Sequence, residues 1–138
     1  GVGGLAVAGA AAARANWGEA PKIVVVEPEA AQALFAGIAA GRPVVSPGPV
    51  SNMGRLDCKE ASHLALGYLA READAFMTVS DEAAAETAGV LAEHGLATSP
   101  SGGAGLTGLA CIRENAAAIG LDGASRVLAY LSEGPADE

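Results

Sequence analysis

Blocks of apolar residues with different periods follow one another along the chain and predict helices and strands in alternation. The first block, Gly4 to about Asn16, is rich in alanine, which has the highest helix propensity, and its small side chains suit close packing on a sheet. The next block, Lys22–Pro28, holds an unbroken run of β-branched residues. A run without alternation is typical of a strand that is buried on both faces, as in a parallel sheet.

The remaining blocks continue this alternation. We predict further helices at about residues 29–40, 62–73, 82–94 and 104–119, and further strands at 75–79 and 126–132, with very short strands at 44–45 and 96–98. Ser80 or Asp81 is predicted to cap the helix that follows. Residues 43–57, which contain three prolines and two glycines, are predicted to form a surface loop. The pattern favours a single α/β domain over residues 1–138, with a mostly parallel sheet and helices on both faces in a three-layer, Rossmann-like arrangement.

Composition and charge narrow the classes of partner. Of the 138 residues, 51% are hydrophobic and 17% charged, which is typical of a folded globular protein. The formal net charge is −8 and lysine and arginine do not cluster, so we expect neither nucleic acid nor a membrane as a partner. Cys58 and Cys111 lie far apart without metal-ligand spacing, which indicates reduced thiols and a cytoplasmic location. We expect no metal site, because His63 and His94 lack a second ligand at suitable spacing.

A glycine-rich turn opens the sequence. Gly1-Val2-Gly3-Gly4-Leu5 leads into the first predicted helix, and its backbone N–H groups are unencumbered by side chains. The helix dipole favours an anion at this position, and a phosphate group is the usual ligand. The turn fits either a dinucleotide, for which Glu27 is the candidate ribose ligand, or pyridoxal phosphate (PLP). Glu27 is also explained as the polar end of a buried strand, which we favour.

A second glycine turn distinguishes between the two cofactors. Ser101-Gly102-Gly103-Ala104-Gly105-Leu106 lies at another predicted strand-to-helix junction, and such junctions share the carboxyl edge of a parallel sheet. One turn can then bind a phosphate while the Ser101 hydroxyl faces a ring nitrogen, an arrangement that a dinucleotide does not require. Two other interpretations stay open. They are a non-catalytic NAD- or FAD-binding module, and an interaction domain whose glycine turns are purely structural.

Five short motifs occur in order and cover nearly the whole chain. They are Gly1–Leu5, Ile23–Pro28, Leu56–Glu60, Ser101–Leu106 and Ser132–Gly134. Together they resemble the carboxyl-terminal part of the fold type II PLP-dependent enzymes, the tryptophan synthase β-like superfamily. Within that group the chain is most similar to 2,3-diaminopropionate ammonia-lyase. The resemblance implies that the chain is one part of a larger fold type II enzyme.

The resemblance also implies roles for the two glycine turns. The phosphate of the cofactor pyridoxal 5′-phosphate would be bound by the turn Gly1, Val2, Gly3, Gly4 and Leu5. Its pyridine nitrogen would be bound by the hydroxyl of Ser101. A neutral hydroxyl leaves that nitrogen unprotonated, which suits β-elimination. The implied reaction removes the α-proton and the β-amino group of a small amino-acid substrate, and hydrolysis of the resulting enamine gives pyruvate and ammonia. The enzyme is expected to be a homo-oligomer, in the simplest case a dimer.

Two departures from the family pattern affect the expected reaction. Lys59-Glu60-Ala61 replaces the Gly-Glu-Pro that usually follows Cys58, and Pro100 replaces an acidic residue before the ring-binding serine. A related threonine or serine dehydratase is therefore an alternative. In the family the Schiff-base lysine precedes the glycine turn, and neither Lys22 nor Lys59 takes its place. We therefore expect no catalytic residue in this chain, which should be an inactive fragment by itself.

Overall fold

Helices and strands alternate over the part of the chain that the structure describes. The structure is a computed structural model and describes residues 1–135, except for the side chain of Glu114. Its elements in this part are α1 Gly4–Trp17, β1 Val24–Pro28, α2 Ala33–Ala40, α3 His63–Glu72, β2 Ala75–Val79, α4 Asp81–Glu93 and α5 Ala104–Cys111. Two 3-10 turns, Arg113–Asn115 and Ala117–Ile119, follow α5. No helix within residues 1–135 combines the length and apolar character that crossing a membrane requires.

The two strands form a parallel sheet. Their register runs from Val24 opposite Ala75 to Pro28 opposite Val79. The connection between the strands contains α2 and α3, because a parallel pair needs a crossover that returns the chain to the same end of the sheet. The predicted strand at 75–79 is confirmed without change, and the predicted strand at 22–28 is confirmed from Val24 onward.

Helices cover both faces of this sheet, as the unbroken apolar run in β1 predicted. Val25 belongs to a buried cluster with Leu34 of α2 and Leu69 of α3, to which α1 contributes Ala10. Val26 packs against a second cluster that contains Met53 together with side chains of β2, α4 and α5. Successive side chains of a strand point to opposite faces, so the two clusters lie on opposite sides of the sheet. The α/β fold therefore has three layers.

Helix α5 approaches the sheet closely at Gly108. A Cβ atom at this position would lie 2.6 Å from Cγ2 of Val26 and 3.3 Å from Sδ of Met77. Glycine is therefore required by packing here, although it weakens a helix by about 1 kcal/mol relative to alanine. The close approach lets the short α5 cover β1 and β2 together.

Two helices begin at serine caps. The Ser62 hydroxyl accepts a hydrogen bond from the N–H of Ala65 at the start of α3, and the Ser80 hydroxyl accepts one from Ala83 in α4. Each bond satisfies one of the N–H groups that a helix leaves unpaired at its start. Of the two predicted caps for α4, Ser80 is thus the one that the structure shows.

The predicted strand at 126–132 is wrong. These residues are irregular, and most of them are exposed. A strand requires a hydrogen-bonded neighbour, and among the described residues β1 pairs with β2 alone. Residues 126–132 therefore have no strand to pair with in the described part of the chain, despite their apolar pattern.

Two further predicted strands are absent, and two helix boundaries differ from the prediction. The short strands at 44–45 and 96–98 are irregular segments instead. Helix α2 begins at Ala33 rather than near residue 29, and α5 ends at Cys111 rather than near residue 119. Arg113 has a φ of +32°, which is incompatible with continuing the α-helix and explains the change to 3-10 turns.

Candidate functional site

The opening glycine turn is fixed by its contacts with α2 and α3. Gly3 has a φ of +106° and is buried, and a Cβ atom at this position would lie 2.7 Å from Cβ of Ala65. Glycine is therefore required here by both conformation and space. The carbonyl of Val2 accepts a hydrogen bond of 2.9 Å from the N–H of Ser62. These contacts hold the turn against the beginning of α3.

The N-terminus of α1 has no capping group among the described residues. Gly3 offers no side chain to it, and the first turn contains no acidic residue. The first hydrogen bond of the helix runs from Val7 to the Gly3 carbonyl at 2.9 Å. The N–H groups of Gly4, Leu5 and Ala6 are therefore left to bind another group, and the dipole of this 14-residue helix favours an anion.

The second glycine turn places the hydroxyl of Ser101 in a defined hydrogen bond. Ser101 is 9% exposed, and its Oγ accepts the N–H of Arg55 at 3.2 Å. A serine hydroxyl has one proton to donate besides its lone pairs. The described residues offer no acceptor for that proton, so the hydroxyl can donate it to a ligand.

The structure brings the two turns together through Arg55. The carbonyl oxygen of Arg55 lies 3.1 Å from the position that a Cβ atom of Gly1 would take. The N–H of Arg55 donates a hydrogen bond to Oγ of Ser101. The same loop is tied to the first residue of α4, just after β2 ends, because Ser51 Oγ donates to Oδ1 of Asp81 at 2.6 Å and Asn52 N–H donates to Oδ2 at 2.8 Å. Both turns therefore meet at the carboxyl edge of the sheet, where parallel α/β folds bind ligands.

Glu27 is used inside the fold. It is 2% exposed, and its carboxylate accepts the N–H groups of Leu34 at 2.9 Å and Phe35 at 2.8 Å at the start of α2. Burial raises the pKa of Glu27, and these two hydrogen bonds partly oppose the shift. Glu27 thus caps α2, which fits the polar end of a buried strand. Both carboxylate oxygens are occupied, which disfavours a role as ribose ligand in a dinucleotide site.

Both lysines are held by other groups. The Lys59 ammonium donates to the carbonyls of Ala30 and Pro49, each at 2.7 Å, and to Oδ1 of Asp57 at 2.5 Å. This hydrogen bond with Lys59 lowers the pKa of Asp57. Lys22 pairs with Oδ1 of Asp74 at 3.0 Å. The amine of a covalent catalyst must be desolvated and free to attack, so neither lysine is suited to that role.

No metal site is evident in the described part of the chain. No group of three or more His, Cys, Asp or Glu side chains within it could hold a metal ion.

Two residues near the site were not found from the sequence. Arg55 bridges the turns through its backbone, and no side-chain pattern indicates such a contact. Glu133 reaches the second turn: Ser99 Oγ donates to its carboxylate at 2.5 Å and accepts the N–H of Gly102 at 3.0 Å. The sequence motif Ser132–Gly134 contains Glu133, but the motif indicated no role for that residue. Only the fold shows that Glu133 approaches the turn of Ser101.

A known protein family and several solved structures are similar to this chain. A family model described as pyridoxal-phosphate dependent enzyme matches residues 1–133. The chain matches none of the curated protein sequences. It is 25% identical to the solved structure of T.th. threonine deaminase, with a TM-score of 0.79 over 100% of this chain and 47% of that one.

Two further solved structures are similar. Maize serine racemase is 26% identical, with a TM-score of 0.70 over 76% of this chain and 32% of that one. An L-serine ammonia-lyase from Rhizomucor miehei is 23% identical, with a TM-score of 0.75 over 88% of this chain and 38% of that one. The chain thus spans less than half the length of each of these three structures.

The chain belongs to the fold type II family of PLP-dependent enzymes. Its parallel sheet and two helical layers correspond to part of that fold.

Proposed function

We propose that this chain is the carboxyl-terminal, cofactor-binding part of a PLP-dependent ammonia-lyase acting on a small amino acid. The observation that carries the proposal is the convergence on Arg55 of an uncapped helix N-terminus and a buried serine hydroxyl. The first suits a phosphate and the second suits a heterocyclic nitrogen. Membership of a PLP-dependent family supplies a cofactor that carries both groups.

The phosphate of PLP fits the turn Gly1–Leu5. Three unpaired N–H groups at the start of α1 provide donors, and the helix dipole provides a favourable potential. Gly3 must lack a side chain for the turn to pack on Ala65. In the proposal, Gly1, Val2, Gly3, Gly4 and Leu5 hold the phosphate without a charged side chain.

Ser101 fits the pyridine nitrogen. The N–H of Arg55 fixes its oxygen, so the hydroxyl proton points away from that bond and is available to the ring. PLP, when bound, supplies the electron sink for bond cleavage at the α-carbon of an amino acid. A hydroxyl donates a hydrogen bond but no charge, so Ser101 would leave the ring nitrogen neutral. This property is expected to favour β-elimination.

For the substrate we propose 2,3-diaminopropionate, on the resemblance of the ordered motifs to 2,3-diaminopropionate ammonia-lyase. A second candidate is serine or threonine, which the similarity to a threonine deaminase and an L-serine ammonia-lyase favours. The two classes share a leaving group on the β-carbon and differ in whether it is an amine or a hydroxyl. The catalytic lysine would come from outside this chain, because Lys22 and Lys59 are both paired.

The test uses the complete protein that contains this chain. Purified with PLP, it should show the absorbance band of the bound cofactor and should form pyruvate from 2,3-diaminopropionate with twice as much ammonia per pyruvate as serine would give. Turnover of serine or threonine in place of 2,3-diaminopropionate would select the second candidate. Absence of the PLP band, with binding of NAD or FAD instead, would overturn the proposal.

A cytoplasmic location and a homodimer are further parts of the proposal. Cys58 and Cys111 are both free thiols, which suits a reducing compartment. Fractionation of cells and sedimentation of the complete protein would test these two expectations.

A further inference from the structure

A chain of hydrogen bonds links Glu133 to the turn that carries Ser101. The Ser99 hydroxyl donates its only proton to Oε2 of Glu133 at 2.5 Å. Its oxygen therefore presents a lone pair to the N–H of Gly102, which donates to it at 3.0 Å. Gly102 follows Ser101 directly, so these two hydrogen bonds connect Glu133 to the backbone next to Ser101.

Glu133 reaches this position from an irregular segment, residues 126–135. The segment lies against glycines: Ala129 Cβ is 3.6 Å from the Cβ position of Gly105, and Glu133 Cγ is 3.1 Å from that of Gly102. Within the described residues, no backbone ladder holds the segment in place. The side chain of Glu133 therefore supplies a directional contact that the backbone of the segment does not supply.

A buried polar atom without a hydrogen-bond partner among the described residues lies next to the same turn. Thr98 is 7% exposed, and its Oγ1 has no partner among the described residues. This oxygen is in contact with the Cβ position of Gly102. Without Glu133, no hydrogen bond to its carboxylate restrains the Ser99 side chain, which can then leave the rotamer in which Oγ accepts from Gly102 N–H. The arrangement of Ser101 thus depends on Glu133 keeping Ser99 in one orientation.

We propose that Glu133 is a positioning residue for Ser101. It acts through Ser99 and Gly102 and holds the Ser101 hydroxyl in the direction needed to meet the cofactor ring. This inference rests on the proposed function, in which Ser101 contacts the pyridine nitrogen. Among the hydrogen bonds of the described residues, none joins Glu133 to Ser101, so its role is geometric.

The first test compares two replacements in the complete protein. Glu133→Gln keeps an oxygen that accepts the Ser99 proton, whereas Glu133→Met has similar length and no acceptor of that kind. Glu86→Met, at an exposed position on α4, is the control for loss of a carboxylate. Without cofactor, hydrogen exchange in residues 98–105 should quicken in Glu133→Met alone. Equal exchange in Glu133→Met and wild type would overturn the inference whether or not PLP binds.

The second test measures the loaded enzyme. Glu133→Met should lower kcat by about 10-fold and shift the absorbance band of bound PLP, because a misplaced catalytic contact costs far more than its bond alone. Glu133→Gln should restore both values to near those of wild type. An equal loss in the two variants would point to the charge rather than to the hydrogen bond, and would overturn the positioning role.

A double substitution separates this inference from the proposed function. Removing the Ser101 hydroxyl with Ser101→Ala should make the enzyme insensitive to Glu133→Met, since no hydroxyl is left to position. If Glu133→Met lowers kcat by the same factor in both backgrounds, Glu133 acts independently of Ser101 and the inference fails. If Ser101→Ala by itself changes neither spectrum nor kcat, the assigned role of Ser101 fails first.

Discussion

At the scale of single residues, the candidate site depends on glycines that have different reasons to be glycine. Gly3 has a left-handed backbone and no room for a side chain, whereas Gly4 is helical with no atom within 4 Å of its Cβ position. Gly3 therefore determines the shape of the turn, while Gly4 only keeps the helix N-terminus open. The effects of Gly3 and Gly4 on stability can therefore be distinguished by substituting each in turn.

We expect Gly3→Ala to destabilise the protein and Gly4→Ala to stabilise it slightly. The first change strains the backbone and brings Cβ to 2.7 Å from Cβ of Ala65, which should lower the free energy of unfolding by about 1–3 kcal/mol. The second should raise it by about 0.5–1 kcal/mol, because alanine favours a helix. Urea denaturation of both variants measures the difference. Equal stability of the two would show that the turn is not held as described.

Glu27 leads to a prediction about pH. Burial raises the pKa of Glu27 in the folded state, so ionisation of its carboxyl opposes folding. The stability that protonated Glu27 contributes is fully present below the ordinary pKa of 4.5, and it is lost as the pH rises through the raised pKa of the folded state. Glu27→Gln does not titrate, and its amide faces Leu34 and Phe35 with one acceptor instead of two. We expect the variant to be less stable than wild type by about 1–2 kcal/mol at low pH, with the gap narrowing as pH rises.

Denaturation at a series of pH values measures this gap. Glu29→Gln, at an exposed position that follows the same strand, is the matched control for replacing a carboxylate by an amide. A gap for Glu27→Gln that widens with rising pH would contradict the raised pKa.

At the scale of elements, the sequence predicted the helices and strands that depend on local pattern. It failed for elements whose bounds or existence depend on contacts between residues distant in sequence. The helix from Gly4 and the strand 75–79 were predicted well, since propensity and an apolar run suffice for both. The start of α2 was misplaced because the Glu27 carboxylate caps it from another element. The segment 126–132 has the apolar pattern of a strand, but no pattern supplies a partner for its ladder.

The candidate site shows the same division. The sequence indicated Gly1–Leu5 and Ser101 as candidate ligands, because glycine turns before helices have a recognisable composition. It did not identify Arg55, whose contribution is a backbone N–H and carbonyl inside an irregular loop. Backbone groups occur at every position, so only the fold can show which of them meet.

Packing of α5 on the sheet gives a prediction at this scale. Gly108→Ala places Cβ 2.6 Å from Val26, and we expect the displaced helix to lower the free energy of unfolding by about 1–3 kcal/mol. Gly89→Ala, inside α4 with no atom within 4 Å, should instead stabilise by about 0.5–1 kcal/mol. Thermal unfolding of the pair tests this. Stabilisation by both substitutions would show that α5 lies farther from β1 than the structure places it.

At the scale of the whole molecule, the fold leaves strand edges and apolar side chains uncovered. The sheet has two strands in the described part, so each strand has one edge without a hydrogen-bonded neighbour there. Leu128 is 62% exposed and Tyr130 is 53% exposed, and both lie in the irregular segment 126–135. Open sheet edges and contiguous apolar surface are both sites of association between chains.

We therefore expect the 138-residue chain, when produced alone, to self-associate in a concentration-dependent way. Leu128→Glu should weaken association, because it puts a charge into the exposed apolar segment. Val90→Glu is the matched control: Val90 is 50% exposed on α4, outside that segment, and the substitution adds the same charge to a chain whose net charge is already −8. Sedimentation velocity over a range of concentrations measures both. If the unmodified chain sediments as a monomer throughout, the predicted self-association is wrong. If the two substitutions weaken association equally, the segment 126–135 is not the contact and net charge is the governing factor.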